Sequence, residues 1–405
     1  MTMKVRALAI SMLMVSAMWL AGCGHYECTK GFGNTTCGTG GSGGKSSGGG
    51  GTSSGSTYLF IADAGGIQGE TFDASAGTIE ITPNFGTVTV STNVPGAWMA
   101  VAKQQFMYSA YADIGQIYGW SIGGDGTLTT VSGSPYPAAY LTGNSFNVFT
   151  SPTQAMITNP SGTLLFAVDQ TDDQIDVYQI GSDGGLTAMT PVQLPSGFKP
   201  YNLATDGLGT YLYVSNIVGL STSEVATFTI GSTGTLTAVS GSPFSLPLMQ
   251  MQGDSSGKYM VGTTGGFTGN QSVYVMSVNQ SSGALTQVTG SPFPTLSTPF
   301  TVAVQPNSGG TLVYSFDAET DAGIIEGFQL DLSSGALTTV TGSPFAAAGV
   351  SGAFDPSGQF LFVEESSNGL ATSLDAFNVG SSATLTTPVA TVGWAQGAWA
   401  AVDVP

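Results

Sequence analysis

From about residue 58 onward, apolar residues come in short runs separated by turns rich in Gly, Ser, Pro and Asp. Some runs are almost wholly apolar: Leu164–Val168, Tyr211–Val214, Leu312–Phe316 and Phe360–Val363. Others alternate apolar with polar, as in Ile175-Asp-Val-Tyr-Gln-Ile180 and Val273-Tyr-Val-Met-Ser-Val278. A period of two marks a half-buried strand, and a short unbroken apolar run marks a buried one. The intervening Asn159-Pro-Ser-Gly162, Asp254-Ser-Ser-Gly257 and Asp355-Pro-Ser-Gly358 predict tight turns, because Pro presets one backbone angle and Gly accepts positive φ. The pattern predicts strands throughout this region.

The strands recur as a unit. Leu128-Thr-Thr-Val-Ser-Gly-Ser-Pro-Tyr136 returns at Leu236–Phe244, Leu285–Phe293 and Leu337–Phe345, with weaker copies beginning at Leu186 and Leu385. Successive leucines lie 58, 50, 49, 52 and 48 residues apart. That period suits four short strands, the content of one propeller blade. It is too long for a rung of a β-helix and lacks the 3.6-residue beat of a helical solenoid. Blades are expected at 97–153, 154–200, 201–247, 248–299, 300–350 and 351–397. Residues 58–96 then supply strands two to four of a seventh blade. Ala398-Trp-Ala-Ala-Val-Asp-Val404 reads as its missing first strand, matching Ala97-Trp-Met-Ala-Val101 at the next opening. The expected fold is an all-β, seven-bladed propeller of antiparallel blades, closed by pairing of its two ends. Such pairing removes the open sheet edges that invite aggregation. An outer-membrane barrel is disfavoured, since its strands need about 9–11 alternating residues.

Composition adds location. Of 405 residues, 59 are Gly, 8% are charged, and 25 acids outweigh 7 cations for a net charge of −18. An acidic surface excludes a nucleic-acid binder. Lys4 and Arg6 precede an apolar run over 7–20 that is too short for a permanent span and reads as a secretory signal over 1–22. The run closes on Leu20-Ala21-Gly22-Cys23, which resembles the lipobox of bacterial lipoproteins. That resemblance implies cleavage before Cys23 and acylation of it, the lipid being the one membrane anchor. Gly24 after the cysteine leans toward the outer membrane. Residues 23–57, nearly all Gly, Ser and Thr beyond 38, predict a flexible tether reaching about 30 Å. Cys28 and Cys37 can pair in an oxidising envelope or stand idle.

The phrases Ser334-Gly-Ala-Leu-Thr-Thr-Val-Thr-Gly-Ser-Pro-Phe345 and Asp355-Pro-Ser-Gly-Gln-Phe-Leu-Phe-Val363 resemble the seven-bladed lactonase-like propeller family. Tyr213-Val-Ser-Asn216 resembles its YVTN-type repeat. The resemblance covers most of 58–405. It implies phosphogluconolactonase or carboxymuconate cyclase chemistry, whose proposed sites use His and Arg. This chain departs there: residues 58–405 contain no His and no Arg, only Lys103, Lys199 and Lys258 against 24 acids, a charge of −21. Anionic substrates would be repelled. A Ser–His–Asp triad, a Cys nucleophile and a His-bound zinc are excluded within 58–405.

Aligning the second strands on their aromatic-rich centres places Asp63, Tyr111, Asp169, Asn216, Thr264, Asp317 and Glu365 at one equivalent position. In a propeller this position forms a ring at the channel mouth, to which Asp113, Asp172, Asp173, Glu319 and Asp321 add loop carboxylates. Oxygen ligands of this kind suit Ca²⁺ or a cationic ligand. The plainer reading is that Asp, Asn and Thr cap turns at strand ends. Tyr111, Tyr118, Trp120 and Tyr140 either offer a binding surface or fill the gaps between blades. Two functions follow. The first is a monomeric, lipid-anchored binding or scaffolding module for an envelope protein or a small cationic or neutral ligand. The alternative is a divergent hydrolase of uncharged lactones or sugar derivatives, using carboxylates and possibly assisted by Ca²⁺.

Overall fold

The computed structural model describes residues 56–404, apart from 64–65, 74, 77, 82–87, 91–97, 112–113, 139–154, 170–171, 217–222, 266–270, 307–310, 318–323, 348, 368–369, 380–382, 386 and 394–397. Signal segment, Cys23, Cys28, Cys37 and the Gly-rich stretch lie outside the described residues.

Seven antiparallel sheets form, each ordered first to fourth strand as the repeat predicts. Blade 1 holds Trp98–Ala102, Phe106–Tyr111, Gln116–Ile122 and Leu128–Thr130. Blade 2 holds Met156–Thr158, Leu164–Asp169, Gln174–Ile180 and Leu186–Ala188. Blade 3 is Pro200–Thr205, Tyr211–Asn216, Glu224–Ile230 and Leu236–Ala238. Blade 4 is Gln250–Gly253, Tyr259–Thr263, Ser272–Val278 and Leu285–Gln287. Blade 5 is Pro299–Val304, Thr311–Asp317, Ile324–Leu330 and Leu337–Thr339. Blade 6 is Gly349–Phe354, Phe360–Ser367, Leu370–Asn378 and Ala390–Gly393. Blade 7 takes Ser56–Asp63, Gly66–Asp73 and Thr78–Ile81 from one end of the chain and Ala398–Val404 from the other. First strands of blades 1 to 6 touch in order, and Ala398–Val404 touches Trp98–Ala102. Blades 6 and 7 meet through Phe72, edge-on to Phe360 and Phe362. The result is a propeller with no helix among the described residues.

The shared blade is paired as expected. Ser56–Ala62 runs antiparallel to Ala398–Val404 in continuous register, from Ser56 against Val404 to Ala62 against Ala398. The core lies between blades. One equivalent position at the centre of each second strand is fully buried: Phe60, Tyr108, Phe166, Tyr213, Val261, Tyr314 and Phe362. These large side chains fill the wedge between neighbouring sheets.

Two details differ from the sequence reading. After Ser-Pro the chain does not leave the sheet. Tyr136–Pro137, Phe244–Ser245, Phe293–Pro294 and Phe345–Ala346 pair with the start of the third strand, so the blade edge is split between two short pieces. The Ser134-Pro135, Ser242-Pro243, Ser291-Pro292 and Ser343-Pro344 bonds are cis. In blade 6 the copy beginning at Leu385 is not the fourth strand; Ala390–Gly393 takes that place. Leu385 is nonetheless buried, so the apolar anchor of the repeat survives where its strand does not.

Candidate functional site

Blade topology sorts the carboxylates onto two rims. Turns between strands one and two, and hairpins between strands three and four, lie on one rim. Second strands end, and first and third strands begin, on the other, which is the channel mouth.

On the far rim the acids serve the turns. Asp355 Oδ1 accepts the Phe360 N–H at 2.7 Å, and Asp254 Oδ1 that of Tyr259 at 2.6 Å. Asp206 Oδ1 accepts from Thr210 and Tyr211, both at 2.7 Å. Asn159 makes the same pair of bonds to Thr163 and Leu164 with an amide oxygen. Asp73, Asp125 and Asp331 accept from Ser75, Thr127 and Ser333, and those bonds hold their carboxyls below the usual range. Asp206 is the exception: burial raises it against its backbone donors.

At the mouth, the residues of the sequence-predicted ring lie at or within two residues of second-strand ends. Asp169, Asn216, Asp317 and Thr264 are buried there, Thr264 one residue past its strand. Asp63 ends its strand opposite Gly66. Asn216, Asp317 and Glu365 each face the first residue of the inner strand, Pro200, Pro299 and Gly349, and a bulge follows every time. Turn capping accounts for part of the ring. Asn216 Oδ1 accepts the Lys199 N–H at 2.8 Å, and Asp169 Oδ1 that of Asp172 at 3.0 Å. Tyr111 and Trp120 are buried between blades, and Tyr118 stacks on Trp120, which supports the packing reading of these aromatics. Tyr140, Asp113, Glu319 and Asp321 lie outside the described residues.

A second column of acids was missed in the sequence. Asp176, Glu326 and Asp375 occupy one equivalent position on the third strand, opposite Ala167, Ser315 and Val363. Residues opposite one another share a sheet face, so each of these acids sits diagonally beside the ring acid of its own blade. The signal was present in Ile175-Asp-Val-Tyr178, Ile325-Glu-Gly-Phe328 and Leu374-Asp-Ala-Phe377. Aligning third strands as the second strands were aligned would have found it.

The three carboxyl pairs differ. In blade 2 the Gln174 Nε2 amide donates to Asp169 Oδ2 at 3.1 Å and to Asp176 Oδ1 at 3.0 Å. Burial, then the charge of Asp169, pushes Asp176 up to about 7. In blade 5, burial raises Glu326; the backbone of Leu296, donating at 2.9 Å, and of Ser297 counters, and Asp317 adds repulsion. In blade 6, Glu365 and Asp375 are hydrogen-bonded to each other. Burial raises both. The charge of Asp375 raises Glu365 further, while bonds from Thr391, Ser373 and Glu365 favour the Asp375 carboxylate. A hydrogen bond between two carboxyl groups needs one proton between them, and these directions make Glu365 its donor and Asp375 its acceptor. Lys199 Nζ meets Asp173 Oδ1 at 2.5 Å, which ties the mouth of blade 2 to the strand entering blade 3. Among the described residues no three His, Cys, Asp or Glu side chains converge as a metal site.

Known structures share this architecture. A candidate 6-phosphogluconolactonase from Bacteroides fragilis superposes with a TM-score of 0.63 at 15% identity, over 87% of this chain and 99% of its own. One from Bacteroides uniformis gives 0.62 at 14%, over 86% and 99%. A periplasmic gluconolactonase from Pseudomonas aeruginosa gives 0.62 at 16%, over 86% and 100%. The chain has the fold of these lactonase-like propellers. No protein-family model and no curated protein sequence matches it.

Proposed function

We propose that this protein is an envelope hydrolase of lactones, or lactone-like sugar derivatives, that carry no negative charge. The Glu365–Asp375 pair carries the reading. Two carboxyl groups in contact, one holding the proton, supply an acid and a base at one point. As water adds to the lactone carbonyl carbon, Asp375 takes a water proton. Glu365 gives its proton to the ring oxygen as the carbon–oxygen bond breaks. The product is the open hydroxy acid, and the proton on Asp375 returns to Glu365 along their hydrogen bond.

This reverses the order set by the sequence, in which a binding or scaffolding role stood first and the carboxylate hydrolase second. The paired acids favour the hydrolase, and so does the likeness to structures described as lactonases. The acidic mouth disfavours phosphorylated or carboxylated substrates, because among the described residues only Lys199 offers a cation there and Asp173 engages it. The lipobox-like Leu20–Cys23 and the Gly-rich tether support a lipid-anchored protein in the bacterial envelope, consistent with the periplasmic origin of one structural neighbour.

The test is hydrolysis of glucono-δ-lactone and other uncharged lactones above the spontaneous rate. Glu365→Gln and Asp375→Asn are each expected to lose at least about a hundredfold. No turnover by the parent protein, or full turnover by both variants, would overturn the proposal.

A further inference from the structure

Asp176 is 7% exposed, and its Oδ2 has no hydrogen-bond partner. Its neighbours do not relieve it. The Gln193 Nε2 donates to Gln174 Oε1 at 2.5 Å, which turns the Gln174 amide so that its own Nε2 faces both carboxylates. That single NH₂ group serves Asp169 Oδ2 and Asp176 Oδ1. Asp172 serves Asp169 Oδ1. The arrangement is fixed, and it stops one donor short at Asp176 Oδ2.

Neither protonation state of Asp176 satisfies this oxygen. Ionised, it lacks a donor; neutral, its hydroxyl lacks an acceptor. Leaving a buried polar group unmet costs about 1–3 kcal/mol, and more for a charged one. The charges that face it, Asp169 and Asp172, share its sign. The ion pair of Lys199 with Asp173 is the one salt bridge among the described residues, so none of them supplies a cation to Asp176. A metal ion is a poor answer, because both oxygens of Asp169 already have partners and no set of three acids converges among the described residues. A primary ammonium is a good one. It carries three donors and no acceptor, brings the missing charge, and needs no complete oxygen shell.

We infer that blade 2 carries a recognition site for a small organic ammonium, held by Asp176 with Asp169 beside it. Asp375 Oδ1 is also without a partner, but bonds from Thr391, Ser373 and Glu365 reach its carboxyl, whereas Asp176 has only the shared amide of Gln174. The domain charge of −21 draws cations toward the mouth, and the fixed oxygen selects those with N–H donors. The site stands apart from the chemistry at Glu365 and Asp375, so an amine can bind whether or not lactones are opened.

The experiment is calorimetric titration of the full chain at pH 8 and physiological salt with a matched pair, 1-amino-1-deoxy-D-glucitol and D-glucitol. They differ only in carrying an ammonium or a hydroxyl. The amine is expected to bind roughly ten- to a hundredfold tighter, the worth of one hydrogen bond to a charged group. Asp176→Asn should abolish that preference. Asp183→Asn, the same charge change on the far rim, should keep it. Equal affinity for the two compounds, no binding of the amine, or a preference that survives Asp176→Asn would overturn the inference. Should the variant not fold, the parent decides alone. Its preference for the amine must shrink at pH 5.5, where Asp176 is protonated, and an unchanged preference refutes the site.

Discussion

Tyr314 donates its hydroxyl hydrogen to the carbonyl oxygen of Ala383, across a blade boundary, at 2.7 Å. Tyr108 does the same to Gly184 at 2.7 Å, and Tyr213 to Gly283 at 3.1 Å. Each donor comes from the centre of a second strand and each acceptor from a left-handed residue in the hairpin of the next blade, with φ of 57°, 82° and 69° respectively. Blades 1, 3 and 5 are thereby pinned to blades 2, 4 and 6. The geometry also depends on Gly327, opposite Tyr314, where an added Cβ would come within 2.9 Å of the tyrosine ring. Tyr314→Phe leaves a buried carbonyl unmet and should cost about 1–2 kcal/mol in denaturant unfolding. Ala383→Gly should gain about 1 kcal/mol, because only the alanine is strained at positive φ. Opposite signs for the two changes separate the hydrogen bond from the backbone beneath it.

The seventh blade makes a separate prediction. Deleting Ala398–Pro405 removes the strand paired along Ser56–Ala62 and exposes a run of unpaired backbone groups. The first strand of blade 1 loses its neighbour as well. The truncated chain should melt several degrees lower and sediment as aggregates. A melting temperature equal to that of the full chain would mean that the strand contributes nothing to closure.

Much of this was legible in the amino-acid order, for a definite reason. The Leu-Thr phrase fixes the outer strand and the Asp-Pro-Ser-Gly phrase fixes a turn, so their spacing locates the strands between. The ring at Asp169, Asn216, Asp317 and Glu365 followed from alignment alone. The acids at Asp176, Glu326 and Asp375 did not. They sit at polar positions of an alternating strand, and alternation ordinarily implies a face in water. In a propeller each sheet is covered on both faces by its neighbours, so those positions become buried beside the ring acids of their own blades. The period reveals which residues share a face; only the ring of blades reveals that the face is closed. For the same reason the choice between turn caps and a charged mouth was open in the sequence. Asp355 and Asp169 look alike in it, yet they lie on opposite rims.

The proton shared by Glu365 and Asp375 predicts a shape for the rate profile. Catalysis needs Asp375 ionised and Glu365 protonated, so kcat/KM for a neutral lactone should be bell-shaped against pH. Burial raises both groups, which moves the bell above the range of an exposed carboxylate pair. Glu365→Gln should lose the alkaline limb together with most of the rate. A flat profile, or one whose limbs persist in both Glu365→Gln and Asp375→Asn, would place the titrating groups elsewhere.

The same burial makes mild acid the stabilising condition. A carboxyl raised to about 7 in the folded chain, from an ordinary value of 3.8, binds its proton more tightly folded than unfolded. Stability from Asp176 is therefore greatest below about pH 4, declines as pH rises between these values, and is fully lost above about 7. Glu70, Glu326, Glu365, Asp206 and Asp375 are raised by burial too and act in the same direction. Asp73, Asp125 and Asp331 are lowered and act oppositely, but they are exposed turn residues whose bonds water screens. Relief of self-repulsion among 24 acids adds to the trend. The protein should accordingly melt higher at pH 5 than at pH 8. Asp176→Asn removes one titrating group, so it should raise the melting temperature at pH 8 while changing little near pH 4. If the gain were equal at both pH values, the effect would come from packing rather than from the ionised carboxylate. If no gain appeared at pH 8, Asp176 would not be carrying the unmet charge on which its role at the mouth depends.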